Sequence, residues 1–234
     1  AAPLISREPR EALQTADAAL RSLLAAHPAG RLPALMPWLL LAELELHPPL
    51  GNPYLSGDAE EQAANQSQDD AEEPSPGGSA MAPLPSRDVL LEMRSLSEGF
   101  QLREVDTGER DRDLIGGLVF TRGGTPLPTW HTLRVMPALA AMLGDPRLTE
   151  REEFHDRAAP VQRGIRFAIN LAVTEAEAHC YPSPRRALGG VRLAIWDPTI
   201  TPDATALALI TMIEAIESTD RRLPAQKPTD RTTR

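Results

Sequence analysis

The stretch from Pro160 to Glu217, PVQRGIRFAINLAVTEAEAHCYPSPRRALGGVRLAIWDPTITPDATALALITMIEAIE, is the basis of the predicted fold. Its first part, 161–173, predicts a helix, and a long turn containing Gly189-Gly190 follows. Thr201-Pro202 then opens a second helix, because Thr is a good cap and Pro suits the first helical position. The apolar residues of this second helix recur at helical spacing and predict one buried face: Ala206, Leu209, Ile210, Ile213 and Ile216.

A second glycine doublet, Gly116-Gly117, lies upstream of Gly189-Gly190. The residues before the two doublets match in character, with Leu114-Ile115 in one copy and Ala187-Leu188 in the other. Each doublet is preceded and followed by a predicted helix. Units of helix, long loop and helix bury their faces against neighbouring units. The two copies therefore predict stacked helical hairpins.

An N-terminal pair of helices adds a third predicted hairpin. Residues 7–26 repeat apolar side chains at helical spacing, and Ser6 is the predicted cap. The second helix occupies 33–46 and contains Pro37, which leaves two interpretations open: a kink at this proline, or a helix that begins one residue before it. Trp38 and a run of leucines predict burial on most sides, and two acids mark one end as solvent-exposed: Glu43 and Glu45.

Caps and prolines place the remaining helices. Ser86 and Thr129 are predicted caps of two helices, and the second of these is expected to kink at Pro137. The run Thr149-Glu150-Arg151-Glu152 has the pattern of a capping box, which predicts another helix start. We expect that helix to bend near Pro160 before it resumes.

Acidic residues concentrate in the segment 51–85, which contains seven acids and no Lys or Arg. Its few apolar residues cannot offset the entropy cost of ordering it, so we predict a long acidic disordered insertion within one domain, 1–218. Its acidic run, 69–73, is predicted to be a charged linker. A diphosphate and Mg²⁺ site would instead need carboxylates on one face of a rigid helix. A flexible basic tail, 219–234, follows the domain.

Charge and composition exclude some classes of function. The net charge is −9, and without the acidic insertion the chain is nearly neutral, which argues against nucleic-acid binding. No apolar run approaches the roughly 20 residues that cross a bilayer, so no transmembrane segment is predicted. Cys180 is the only cysteine, which excludes an internal disulfide. The chain begins at Ala1, and two interpretations stay open: a piece of a longer protein, or a form exported and cleaved at a signal peptide.

Arg163-Gly164-Ile165-Arg166-Phe167, followed by Gly189-Gly190-Val191-Arg192 and a proline-opened helix, resembles the repeat of prenyltransferase and squalene-cyclase-type α/α toroids. In that family a glutamine and a Gly-x-Trp tie the turn to the helix, and Ala172 and Val191 stand near those positions here. The resemblance implies an all-α fold, a partial α/α toroid of about three helical hairpins. Because a family ring has about six pairs, it also implies a half ring, a completing partner or missing sequence.

The chemistry of that family is not visible in this sequence. Triterpene cyclases are similar to one another in a D-x-D-D proton donor, and protein prenyltransferases in a Zn²⁺ site of Asp, Cys and His; neither pattern occurs. Asp111 and Asp113 are predicted to lie in a solvated loop, and the adjacent His179 and Cys180 would point apart rather than share a zinc ion. We therefore predict no metal and no cofactor.

Two pairs of residues are the ligand-pocket candidates. Trp130 and His131 open one helix, and Trp196 and Asp197 immediately precede another. In α/α toroids the ends of inner helices line the mouth of the cavity, so the resemblance implies a pocket there. The alternative is that both tryptophans seal loops against the core while Asp197 accepts hydrogen bonds from backbone amides at the helix start.

The sequence favours a non-catalytic helical-repeat binding or scaffolding protein with a terpenoid-cyclase-like fold. The competing hypothesis is an isoprenoid- or terpenoid-handling enzyme, or a lipid-binding protein with an apolar cavity. The expected partners are a protein or a second copy that completes the toroid, or an apolar lipid. A soluble protein is expected in either case, cytoplasmic or exported.

Overall fold

The computed structural model describes residues 9–27, 36–48, 81, 83–120 and 127–222, and this part of the chain is mostly helical. The helices are α1 (Pro9–Ala26), α2 (Met36–Leu46), α3 (Arg87–Gly99), α4 (Met136–Gly144), α5 (Phe154–Leu171), α6 (Glu175–Ala178), α7 (Pro184–Ala187) and α8 (Pro202–Arg222). Short 3-10 helices occupy Glu104–Asp106, Glu109–Leu114 and Trp130–Arg134. The antiparallel strands β1 (Arg192–Ala194) and β2 (Asp197–Ile200) form a small sheet. The predicted predominance of helix is confirmed.

The core is organised around α4, in which all nine residues are buried. α8 packs along α4, and α2 and α5 also contact it, while α1 packs on α2. A helix that is apolar on every side belongs in such a central position, because each side can be covered by a neighbour. The helices α2, α5 and α8 therefore all pack against α4.

The two glycine doublets form equivalent corners. In each corner, one residue just beyond the preceding helix donates its N–H to the second glycine and accepts a hydrogen bond from the first. All four bonds measure 2.9 Å, and they join Leu102 to Gly116 and Gly117, and Val173 to Gly189 and Gly190. The first glycine of each doublet has a positive φ, 92° at Gly116 and 77° at Gly189. This left-handed conformation explains why glycine occupies both positions.

The equivalence continues into the helices that follow. The residue after each doublet, Leu118 or Val191, forms an isolated antiparallel bridge with a residue that follows the previous helix. Its N–H donates to a threonine hydroxyl 14 residues further along the chain, at 2.9 Å to Thr132 and 3.0 Å to Thr205. Positions in α4 and α8 therefore correspond when the two doublets are aligned.

Several predictions for the N-terminal half are wrong in detail. α2 begins at Met36, which confirms the interpretation without a kink at the proline. Trp38 is 61% exposed rather than buried. Glu43 is 2% exposed, because its carboxylate accepts a hydrogen bond of 2.9 Å from the backbone N–H of Ser86. Ser86 lies at the predicted cap position of α3, but its side chain makes no capping hydrogen bond.

The predicted starts and kinks in the centre of the chain are also corrected. The capping box at 149–152 does not form, since Thr149 is buried and its hydroxyl donates to the carbonyl of Met142 at 2.8 Å. α5 runs as one helix through Pro160. Pro137 does not kink a longer helix but lies at the start of α4, after a separate 3-10 helix that Thr129 caps as predicted.

Other predictions fall partly or wholly outside the described residues. The predicted cap Ser6 lies outside them, and so does nearly all of the acidic insertion 51–85. α8 continues to Arg222, so the first residues of the predicted tail 219–234 are helical, and the rest of that tail lies outside the described part.

Candidate functional site

The structure places Trp130 against the core. Its ring is half-buried and packs on a cluster that includes Phe167 and Leu171 of α5. The guanidinium of Arg134 lies 4.9 Å from the centre of the indole, and the ring of His131 lies 4.6 Å from it on a tilted plane. Burial, with a smaller contribution from Arg134, lowers the pKa of His131. For Trp130, these contacts agree with the predicted sealing of a loop.

The other candidate pair lies at the link between the strands, with Trp196 in the turn and Asp197 as the first residue of β2. Trp196 is 52% exposed, so it does not seal its loop against the core. Asp197 accepts a hydrogen bond of 3.0 Å from the N–H of Thr199, and this bond lowers its pKa. The start of α8 is capped by Thr201, whose hydroxyl accepts from Ala204 at 3.3 Å. Asp197 therefore binds the backbone of β2 and not the helix start.

The weaker candidates from the sequence do not gather into a site. Asp111 and Asp113 are exposed in the 3-10 helix Glu109–Leu114. Cys180 is exposed and unpaired. Across the described ranges, no group of three or more His, Cys, Asp or Glu side chains is placed to hold a metal ion.

The unexpected feature is the solvent-facing side of α8. The sequence predicts that its large apolar residues are buried, yet Leu209, Ile213 and Ile216 are 57%, 53% and 62% exposed. The buried side of α8 instead carries small or polar residues: Ala204, Ala208, Thr211 and Ser218. The predicted core face of this helix is therefore wrong, and an apolar stripe faces solvent.

The corresponding positions in α4 are covered. With the glycine doublets aligned, the stripe corresponds to Met136, Ala140 and Leu143, each 4% exposed or less. Met136 contacts α5 closely, since a Cβ added at Gly164 would lie 2.3 Å from its terminal methyl. α8 also contacts this side of α4, where the hydroxyl of Ser218 donates to the Ala140 carbonyl at 2.8 Å. The hairpin of α5 and α8 thus packs against the side of α4 whose counterpart in α8 is exposed to solvent.

The two glycine corners also differ in burial, with the first corner covered and the second exposed. Ile115 is 4% exposed and its equivalent Leu188 is 54% exposed. A Cβ at Gly116 would lie 1.9 Å from the carbonyl oxygen of Arg163 in α5, whereas Gly189 has nothing within 4 Å. We name the surface formed by Leu188, Gly189, Leu209, Ile213 and Ile216 the open end. It consists of the positions whose counterparts in the first copy are buried.

An arginine-rich cleft lies between the first glycine corner and α5. Its volume is about 550 Å³, and Arg103 of the first corner faces Arg163 and Arg166 of α5 across it. Glu104, Val105 and Ala159 complete most of the lining. We name this feature the arginine cleft. No local sequence pattern identifies it, because its arginines come from two segments that are far apart in the chain.

The second corner carries a carboxylate with a lowered pKa. Glu177 of α6 accepts hydrogen bonds from the backbone N–H and the hydroxyl of Thr174, both at 2.9 Å, and lies 3.1 Å from Arg192. The Thr174 hydrogen bonds are the main cause of the lowered pKa, and the charge of Arg192 adds to them.

Glu177→Gln is expected to remove part of the pH dependence of stability. Because the folded protein holds this pKa below its unfolded value, the stabilisation is present above the unfolded pKa. It is lost as the pH falls through the folded pKa. Urea unfolding of wild type and variant across acidic pH should therefore show a gap that closes as the pH falls. Glu175→Gln on the same helix is the control, and an equal gap for both variants would contradict the assignment.

Within the part of the chain that the structure describes, no helix is both long and apolar enough to cross a membrane. Comparison of the chain with family models, with curated proteins and with solved structures finds no match.

Proposed function

We propose that this chain is a non-catalytic helical-repeat binding module that docks a further helical hairpin on its open end. The observation that carries the proposal is the correspondence between α4 and α8. Every position of the open end matches a buried position of the first copy, and α5 lies against two of these, Gly116 and Met136. Helical repeats bury their faces only against their neighbours, so the last repeat of an array needs either a polar cap or a partner. Four large apolar side chains, each more than half exposed, do not form a polar cap.

The hairpin that we propose as the occupant is α1–α2 of a second copy. α2 exposes a large apolar side chain, Trp38, which is available for contact with a second copy. Within one chain α2 already packs beside α4, so the same type of helix beside α8 would extend the existing arrangement. Contacts of α8 with a partner's α2 are head-to-tail, and such contacts close into a ring when the rotation between copies permits it. The partial toroid implied by the sequence would be completed in this way.

Ile213→Glu is expected to convert a dimer into a monomer. A carboxylate at the centre of the open end would be desolvated on association, and we expect the dimer to weaken by at least about 100-fold. Light scattering coupled to size exclusion, over a wide range of protein concentrations, measures the change. Trp38→Ala tests the other side of the contact and is expected to weaken the dimer as well.

Ile169→Glu is the matched control for this experiment. Ile169 is 56% exposed on α5, close to the 53% of Ile213, but it lies outside the open end. The control should remain dimeric, and far-UV circular dichroism should show unchanged helix content in all variants. A wild-type chain that is monomeric at every concentration, or an equal effect of Ile169→Glu, would contradict the proposal.

The competing hypothesis from the sequence, an isoprenoid-handling or lipid-binding protein, has a distinct outcome. Incubation with squalene or polyprenyl diphosphate, followed by native mass spectrometry, detects stoichiometric lipid. Lipid bound to a monomer and lost in Ile213→Glu would assign the open end to a lipid and would overturn the proposed self-association.

A further inference from the structure

We propose that the arginine cleft binds a phosphate monoester, with the guanidinium groups of Arg103, Arg163 and Arg166 holding the dianionic phosphate. This inference is independent of the open end, which lies on other elements. Planar guanidinium groups match the geometry of phosphate oxygens and can donate two hydrogen bonds at once. The described contacts of these residues indicate which of them are fixed and which are free to bind.

The side chain of Arg163 is held in place by Gln101. Its Nε donates to the side-chain oxygen of Gln101 at 3.2 Å. The amide nitrogen of Gln101, a residue only 4% exposed, donates to the carbonyls of Gly116 at 3.1 Å and Pro160 at 2.8 Å. A buried and fully bonded side chain therefore orients the guanidinium of Arg163 toward the cleft. Such preorganisation lowers the entropy cost of binding an anion.

The cleft has an excess of positive charge. Arg166 is exposed, and no hydrogen bond or ion pair ties it to the other described residues. Glu104 is the acid among the lining residues that faces the three arginines, which leaves an excess of two positive charges. Burial lowers the pKa of Arg163, and the nearby charge of Arg103 adds to the effect, while the charges of Glu98 and Glu104 oppose it in part. A dianion would neutralise this excess, whereas a single carboxylate would leave half of it.

In the second corner, an arginine is tied down by the protein itself. There, Arg192 donates to the carbonyls of Leu171 at 3.1 Å and Asn170 at 2.7 Å, and it pairs with Glu177. Its guanidinium is used to join the corner to α5. Arg166 makes no comparable contact with the described part of the chain, so structural support does not explain its presence.

The apolar part of the lining favours a phosphate that carries an organic group. Val105 is 88% exposed at the rim of the cleft, and Ala159 lines the α5 side. A small alkyl substituent next to the phosphate could cover these side chains. The arginines recognise the phosphate dianion that an ester shares with the free ion, and contact with the organic group is what distinguishes the ester.

Isothermal titration calorimetry with pyrophosphate, inorganic phosphate and hexyl phosphate tests the proposal. Arg166→Ala is the main variant, because its exposed side chain can be removed without disturbing the described packing. We expect it to weaken the binding of all three probes by about tenfold or more, as hydrogen bonds to charged groups require. Tighter binding of hexyl phosphate than of inorganic phosphate, reversed by Val105→Ser, would assign the site to an ester. Equal affinity would overturn the assignment to an ester and leave the free ion as the ligand.

Arg186→Ala is the matched control, since Arg186 is an exposed arginine of α7 in the other corner. It removes the same charge and should change affinity by less than about twofold, the part due to net charge alone. An equal loss of affinity in both variants would show that the binding is non-specific electrostatic attraction, and it would overturn the proposal. So would the absence of measurable binding by the wild-type chain to any of the three probes.

Discussion

Gly116→Ala is expected to lower the free energy of unfolding by about 3 to 5 kcal/mol. Two costs combine at this position. The residue has φ 92°, which an L side chain adopts only with strain. In addition, its new Cβ would lie 1.9 Å from the carbonyl oxygen and 2.3 Å from the carbonyl carbon of Arg163. A backbone atom cannot rotate away, so the corner or α5 must move.

Gly189→Ala separates the two costs, because the chain supplies its own control. Gly189 has φ 77° and the same hydrogen bonds, but nothing lies within 4 Å of an added Cβ. Only the conformational strain remains, and we expect a loss of about 1 to 2 kcal/mol. Urea unfolding of both variants, at a concentration where wild type is monomeric, measures the difference. Equal losses at the two glycines would show that α5 does not lie against the first corner.

Asp145→Ala is expected to destabilise the protein by about 3 to 5 kcal/mol, because it would remove the carboxylate that pairs with a buried guanidinium. Asp145 and Arg147 are 6% and 9% exposed, and Nη2 of the arginine lies 2.6 Å from the carboxylate. The same carboxylate accepts the backbone N–H of Arg147 at 2.8 Å. Arg147 also donates to the carbonyl of His47 at 2.6 Å, which joins the end of α4 to the end of α2.

Two further variants identify the source of that loss. Replacing both partners, with Asp145→Ala and Arg147→Met, removes the buried charge and should recover part of the stability. Glu109→Ala breaks an exposed pair with Arg112, whose charged atoms are 3.9 Å apart, and should have no measurable effect. Thermal or urea unfolding measures all three. A double variant that is less stable than Asp145→Ala alone would contradict the explanation by the broken buried ion pair.

Local physical chemistry made part of this fold predictable from the sequence. The helices follow from apolar residues at helical spacing, and the starts of α2 and α8 follow from prolines in their first turns. The glycine doublets predicted equivalent corners because a left-handed residue in a tight turn selects glycine within a short span of sequence. The alignment of the two copies was also the available signal for the open end, since it pairs exposed positions in α8 with buried ones in α4.

Tertiary contacts decided the features that sequence reasoning missed. Glu43 is buried by a hydrogen bond to Ser86, 43 residues away, and the arginine cleft joins segments that are further apart still. Neither contact is visible in a local pattern. The site candidates Trp130, His131, Trp196 and Asp197 stand at or before predicted helix starts in the sequence, but none of them lines the arginine cleft.

The burial of α8 shows most directly why hydrophobicity alone does not predict which face of a helix is buried. Its sequence determined that it is a helix with large apolar residues on one side and small residues on the other. Hydrophobicity predicted that the large residues are buried. The structure buries the small ones, because α8 approaches α4 so closely that a Cβ added at Gly144 would lie 2.8 Å from the hydroxyl of Ser218. The sequence alone thus determined the helix and its two faces, and only the close approach to α4 decided which face stays exposed.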